Sequence, residues 1–331
     1  MARTTQEALD HSVPTAAVLL GSTRDATGFP PVLHRMDVNP EALVAVQEHI
    51  TCQQHEQDAF FIVDLGAVQA RVETWTRLLP RVEPFYAVKC NPDAQILQLL
   101  ADLGCGFDCA SRIEIEDVLR CGVEPSNIIY ANPCKQASHI AFAAANAVHM
   151  MTFDSIEELD KIHQVDPRAQ VVLRLYVDDT KSIMRLGTKF GALVDDAEAL
   201  FKHAEQLKLD VVGVSFHSAR RVFDIGAALG LKFSLLDVGG GFPSIDGDPI
   251  FFSDCAKELS NSLDFHFPDS IGSKVRVIAE PGRFFVASSH TLAVNVIGRK
   301  VSPIDRVQPR DRGSLLGVPH YMYCVNDGIY G

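Results

Sequence analysis

A regular beat of short apolar runs constrains this chain more than any other feature. Runs rich in β-formers occupy Pro84–Val88, Gly106–Cys109, Ile128–Ala131, Met150–Phe153 and Val171–Val177. Their starts lie roughly 22 residues apart, the length of one compact strand-plus-helix unit. Three more follow at Val211–Phe216, Leu235–Val238 and Val275–Ala279. Helical patterns fill the gaps. Asp93–Leu103 follows Pro92, which suits a first helical turn. Ser111-Arg-Ile-Glu114 and Ser155-Ile-Glu-Glu158 have the spacing of capping boxes. Asp195–Leu207 and Pro249–Leu263 read as amphipathic helices. Eight strands alternating with helices predict an α/β chain built as a parallel (β/α)8 TIM-type barrel. A doubly wound open sheet is the alternative that periodicity alone leaves open.

The flanks have another character. The chain is polar and Pro-containing up to about Pro40, then carries a strand-like Phe60-Phe-Ile-Val63. Phe284–Val294 is rich in β-formers, and Tyr321–Gly331 reads as a strand entering a turn. These features predict a barrel over residues 66–285. A second, β-rich domain takes residues 1–65 and begins again at 286–331, where it stops incomplete.

Composition narrows the function classes. The chain has 331 residues, 47% hydrophobic and 22% charged, with a net charge of −12. That fits a large core and argues against nucleic-acid binding. No apolar stretch is long enough to span a membrane or form a signal-peptide core. Eight scattered cysteines show neither a disulfide framework nor a metal-ligand pattern, which suits reduced thiols in the cytoplasm.

The chemistry-bearing motifs fall at strand ends, the rim on which such barrels place their sites. Lys89 ends the apolar run Pro84–Val88. Apolar surroundings disfavour its charge and free the amine as a nucleophile toward a carbonyl. Gly239-Gly240-Gly241 closes Leu235-Leu-Asp-Val-Gly-Gly-Gly, and a turn without Cβ atoms admits an anion. Glu280 and Arg283 flank Pro281-Gly282 after the last strand. The carboxylate suits a protonated ring nitrogen and the guanidinium a phosphate. His217 ends the sixth strand, where an imidazole could stack on a flat ring or shuttle a proton in catalysis. Asp108 and Arg174 lie within strands, where charge is costly unless paired. Taken singly, each is as well explained by a turn, a cap or an ion pair. Together they fit pyridoxal 5′-phosphate: a lysine for the Schiff base, a carboxylate on the pyridine nitrogen, and a grip for the phosphate.

The segments PFYAVKCNP, GFDCASRIEIE, IIYANPCKQ, RLGTKFGA, VVGVSFH, LLDVGGGFP, IAEPGR and YCVNDGIYG carry a resemblance. The chain resembles the eukaryotic ornithine decarboxylase family, among the alanine-racemase-like (fold type III) pyridoxal-phosphate enzymes. The resemblance implies that Lys89 carries the cofactor and that Glu280 binds the pyridine nitrogen. It implies that Arg283, with the backbone around Gly239, Gly240, Gly241 and Gly282, holds the phosphate, that Pro281 lies in the cofactor site, and that His217 stacks on the ring. Asp108 and Arg174 match positions near the cofactor, and Lys189 lies in a subunit-interface segment. The implied reaction is decarboxylation of L-ornithine to putrescine, the first step of polyamine biosynthesis, in a cytoplasmic homodimer open to an antizyme-type regulator. An inactive antizyme-inhibitor-like protein, or a decarboxylase for arginine, lysine or diaminopimelate, are the rival implications.

Two departures stand out. The family's Val-Gly-Ser-Gly loop after the His is missing, and His217 runs directly into Ser218-Ala-Arg-Arg. The family's later Tyr-Asp and Trp-Gly-Pro-Thr-Cys-Asp-Gly motifs are absent before Gly331. The expectation is an incomplete gene product with very low turnover.

Overall fold

The computed structural model describes residues 18–19, 40–53, 57–176, 190–215, 219–244, 251–268, 275–301 and 321–327. His217, Ser218 and Lys189 lie outside them. The chain divides into two compact units, Leu65–Ala287 and the combination of Met1–Asp64 with Ser288–Gly331.

The smaller unit contains β1 (Val18–Leu19), α1 (Pro40–Cys52) and β2 (Phe60–Val63), and later β11 (His290–Val294), β12 (Val296–Val301) and β13 (Tyr321–Val325). β11 pairs with β1 in parallel and with β2 antiparallel, and β12 pairs with β13 antiparallel.

The larger unit is a closed barrel. Its strands are β3 (Val82–Ala87), β4 (Gly106–Cys109), β5 (Ile128–Tyr130), β6 (Met150–Phe153), β7 (Gln170–Arg174), β8 (Asp210–Ser215), β9 (Leu235–Asp237) and β10 (Arg276–Ala279). All neighbours pair in parallel, and β10 closes on β3. The expected (β/α)8 barrel is therefore present, and the open-sheet alternative falls. The helices α2 (Leu65–Leu78), α3 (Ala94–Asp102), α4 (Arg112–Arg120), α5 (Ala137–Ala145), α6 (Ile156–Val165), α7 (Ala197–Gln206), α8 (Ala219–Ala228), α9 (Phe252–His266) and α10 (Arg283–Val286) accompany the strands.

Local chemistry sets the helix starts. Asp93 caps α3 by accepting from the amides of Gln95 and Ile96, so Pro92 stands before the cap rather than in the first turn. Ser111 and Ser155 accept from the amides of Glu114 and Glu158, as capping boxes require. The reciprocal glutamates are used elsewhere. Glu114 reaches the amide of Ala110, and Glu158 accepts from the buried Lys135 ammonium at 2.8 Å.

One expectation fails. Phe284-Phe-Val286 belongs to a short helix, not to a strand. Phe284 and Phe285 pack with Phe242 and Phe252 around Trp75 of α2. Burial of that aromatic cluster outweighs the β propensity of three residues.

The barrel interior is a packed core. Phe85, Ile129, Met150, Val172, Val212, Leu235 and Ile278 form one buried cluster across seven strands. β4 contributes Gly106 instead, because a Cβ there would sit 2.6 Å from the Phe85 ring. Side chains alternate along a strand, so the next inward residue lies two positions on. That step leads from Gly106 to Asp108, Met150 to Thr152, Val172 to Arg174, Leu235 to Asp237 and Ile278 to Glu280. The apolar layer thus carries a polar layer above it, toward the C-terminal ends of the strands.

Lys135 and Glu158 are both buried, at 2% and 3% exposure. Lys135 also donates to the carbonyls of Thr152 and Asn132, and burial pushes its ammonium down to about 8 against the pull of Glu158. Removing one partner leaves an uncompensated buried charge. Glu158→Leu is expected to lower unfolding free energy by about 3–5 kcal/mol. Lys135→Met on that background should recover part of the loss, and denaturant unfolding of the four chains checks the cycle.

Candidate active site

Lys89 follows β3 in a single 3-10 turn, Val88–Cys90. Its Nζ lies 2.5 Å from Asp108 Oδ2 on the adjacent strand β4. Ala87 pairs with Asp108 in register, so strand pairing itself brings a residue 19 positions away to the lysine. Asp108 is fully buried, while the Lys89 side chain is half exposed. Among the described residues, Asp108 Oδ1 has no hydrogen-bond partner.

The charge state of Lys89 corrects the expectation of a free amine. Burial pulls its pKa down as expected, but Asp108 and then Glu280 outweigh that pull. The net shift is upward, and the resting group is an ammonium. A neighbouring anion across the barrel seam was not visible in the linear apolar run.

Glu280 stands one residue past β10 and is 9% exposed. Its amide donates to the carbonyl of Gly239 at 2.7 Å, which ties it to the glycine turn after β9. Gly239 and Gly241 adopt positive φ angles of 73° and 84°. A Cβ on Gly240 would lie 2.6 Å from the Glu280 carbonyl oxygen. All three glycines are therefore needed as glycine, two for their backbone conformation and one for space. Pro281 is buried, and its carbonyl accepts from the amide of Ala87. Gly282 lies against Cys90, leaving 3.1 Å between a would-be Cβ and the Cys90 Cβ. Arg283 is exposed at the start of α10, close enough to Cys90 to draw its thiol pKa down against burial. Arg174 ends β7 with its guanidinium 5.8 Å from the Phe190 ring, within electrostatic reach of Glu280.

Burial raises the Glu280 carboxyl well above the usual range, and the charges of Asp237 and Asp108 add to it. Lys89 and Arg174 oppose the rise without cancelling it. Asp237 is fully buried and accepts from Ser215 Oγ and from the Gly239 amide, each at 2.8 Å. Sequence reasoning treated the Leu-Leu-Asp run only as a lead into the turn. The signal for Asp237 was present, since an acid inside an otherwise apolar strand needs a partner.

Lys89, Asp108, Arg174, Glu280 and the glycine turn thus meet at one barrel mouth, with Arg283 on its rim. His217 was expected there and lies outside the described residues. The fit to pyridoxal phosphate is good. There is an amine, a buried carboxyl for a ring nitrogen, a turn kept free of Cβ atoms, and an unsatisfied buried carboxylate oxygen.

Comparison with known proteins agrees with this geometry. Residues 65–287 match the family model for the pyridoxal binding domain of pyridoxal-dependent decarboxylases. The chain belongs to the pyridoxal-dependent decarboxylase family. Pyridoxal 5′-phosphate is the cofactor of that family and of this chain. The chain is 45% identical to ornithine decarboxylase of Rattus norvegicus, over 83% of its own length and 63% of the rat protein. It is 46% identical to antizyme inhibitor 2 of Xenopus laevis, over 84% of itself and 64% of that protein. It therefore spans just under two thirds of these relatives. Among solved structures, the Paramecium bursaria Chlorella virus arginine decarboxylase aligns with a TM-score of 0.74 at 34% identity, covering 78% of this chain and 73% of that one. No helix among the described residues is long and apolar enough to cross a membrane.

The Lys89–Asp108 pair predicts a pH signature. A raised lysine pKa contributes stability below the ordinary lysine value, and that stability is lost only as pH rises through the higher folded value. Asp108→Asn should move the Lys89 titration downward. NMR of 13C-methylated lysines reads the shift, with Lys89→Arg identifying the resonance. An unchanged titration would show that Asp108 is not the counter-ion.

Proposed function

We propose that this chain is the cofactor-bearing part of a decarboxylase that converts L-ornithine to putrescine, the entry to polyamine biosynthesis. The carrying observation is the Lys89–Asp108 ion pair, held in one barrel mouth with buried Glu280 and the glycine turn.

When bound, pyridoxal phosphate supplies a protonated pyridine ring that takes up the electron pair left at Cα as carbon dioxide departs. Lys89 supplies the amine that fixes the cofactor. Asp108 orients Nζ and holds its proton until the aldehyde arrives. Glu280 would hold the ring nitrogen, where a carboxylate stabilises positive charge. The backbone of Gly239–Gly241 and Gly282, with Arg283, receives the phosphate. Arg174 and Pro281 frame the pocket, and His217 would lie on the ring face. The acidic protein suits a cationic amino acid. In this reading the intact protein is a cytoplasmic homodimer that an antizyme-type regulator can bind.

The likeness to frog antizyme inhibitor 2 favours a second reading, a binding protein without turnover. One experiment separates them. Borohydride added to the chain with pyridoxal phosphate should fix the cofactor on Lys89, found by peptide mass, and Lys89→Ala should abolish the label. Carbon dioxide release should then be greater from ornithine than from arginine or lysine. Slow release from ornithine above that of Lys89→Ala supports the first reading, and cofactor capture with release no greater than that of Lys89→Ala supports the second. A label elsewhere than Lys89 overturns the site.

A further inference from the structure

Lys89 leaves β3 on a turn that is gripped at both ends. At its entry, the Ala87 amide donates to the Pro281 carbonyl at 3.0 Å. At its exit, the Asn91 amide donates to the Val88 carbonyl at 3.1 Å. Tyr86 Oη donates to the Asn91 carbonyl at 3.0 Å. Asn91 Oδ1 accepts from the Asp93 amide, also at 3.0 Å, which joins the turn to the cap of α3. Phe85 belongs to the barrel interior, so alternation sends Tyr86 to the outer face, where it is fully buried. Its ring centre lies 6.4 Å from that of Phe107 on β4 and 6.3 Å from that of Phe285 on α10. A buried hydroxyl is costly unless it is hydrogen-bonded, and a phenylalanine would fill the same space without that cost. Here the hydroxyl holds the carbonyl two residues past Lys89.

We infer that Tyr86 is a positioning residue for Lys89: its hydroxyl braces the Val88–Cys90 turn against β4 and α10, and so fixes the amine relative to the groups that receive the phosphate. The inference rests on the reading of Lys89 above and adds what sets the place of its backbone. Arg283 opens α10, and Gly282 just before it packs on Cys90, the residue that follows Lys89. The turn and the phosphate end are thus in contact on one side through Gly282 and Cys90, and on the other through Phe285 and Tyr86. The aldehyde and the phosphate arm of pyridoxal phosphate stand on neighbouring ring carbons. The separation between the amine and the phosphate grip is therefore set by the cofactor and has to be matched by the protein. A displacement of about 1 Å is enough to forfeit much of the rate of bond formation. Asp108 fixes the far end of the Lys89 side chain, and Tyr86 fixes the turn from which that side chain starts.

The test uses Tyr86→Phe, which keeps both ring contacts and removes only the hydroxyl. Two ligands read the variant. Pyridoxal phosphate must reach Lys89: a carbon–nitrogen bond forms as the aldehyde oxygen leaves as water, and borohydride then adds hydride to fix it. 4′-Deoxypyridoxine 5′-phosphate keeps the ring and the phosphate but has no aldehyde, so it makes no bond to Lys89. Borohydride quenching at successive times, with peptide mass, gives the rate of capture on Lys89. That rate should fall about tenfold in Tyr86→Phe, the order expected from one buried hydrogen bond, while the analogue's Kd by calorimetry changes less than about twofold. Para-aminophenylalanine in place of Tyr86 restores a donor at the same point and should return the rate toward that of the wild type. Capture by Tyr86→Phe at the wild-type rate, or a loss shared equally by the analogue, overturns the inference and leaves Lys89 as the cofactor site. Absence of capture on Lys89 in the wild-type chain overturns the site and the inference together.

Discussion

Charge must be balanced inside the barrel mouth before anything else there can operate. Closure removes the sheet edges, and side-chain alternation then points every second residue inward. Above the apolar layer those inward residues are mostly polar, and they sit where water screens poorly. Lys89 and Asp108 settle one part of the balance across the β3–β4 seam. Asp237 settles another by accepting from Ser215 Oγ and the Gly239 amide, while burial and the neighbouring acids raise the Glu280 carboxyl. A raised carboxyl pKa makes the folded state hold more protons than the unfolded one. The cofactor-free barrel is therefore destabilised as pH climbs from the ordinary carboxylate range toward the folded value of Glu280. A ligand with a cationic ring relieves that cost. Binding to the folded chain alone then stabilises by mass action.

The site is also compact in topology. β9, β10, β3 and β4 are successive neighbours around the barrel. The glycine turn, Glu280, Lys89 and Asp108 sit at their C-terminal ends. The bond from the Glu280 amide to the Gly239 carbonyl extends the ladder by one step past β10. The bond from the Ala87 amide to the Pro281 carbonyl does the same between β10 and β3. Backbone pairing, not a loop, thus fixes the glycine turn relative to the acid and the amine. Strand-borne sites hold their geometry more tightly than loop-borne ones.

Much of this was legible in the sequence. The strand beat located all eight barrel strands, because a fully buried parallel strand must be a short apolar run. The two serine caps were legible because capping is local. What escaped is what closure creates. The charge on Lys89 depends on Asp108, which only strand pairing brings near. The raised carboxyl of Glu280 depends in part on Asp237, which lies 43 positions away in the numbering and on the adjacent strand. The helix at Arg283–Val286 arises because Trp75, from the opposite end of the barrel sequence, offers two phenylalanines a buried surface. Local propensity cannot anticipate a partner that arrives last.

Overall likeness does not separate an enzyme from a binding protein here. The identities to rat ornithine decarboxylase and to frog antizyme inhibitor 2 differ by one point in the hundred. Fold is shared between such functions, so the choice must rest on individual groups. The decisive consideration is cost. A protein that only presents a surface has no need to bury three acids, one of them with no partner for Oδ1 among the described residues, or to hold an ammonium against a carboxylate at the mouth. Each of these could be replaced by apolar packing at no loss and often a gain in stability. Their joint presence in one mouth is the arrangement expected where a charged cofactor is held.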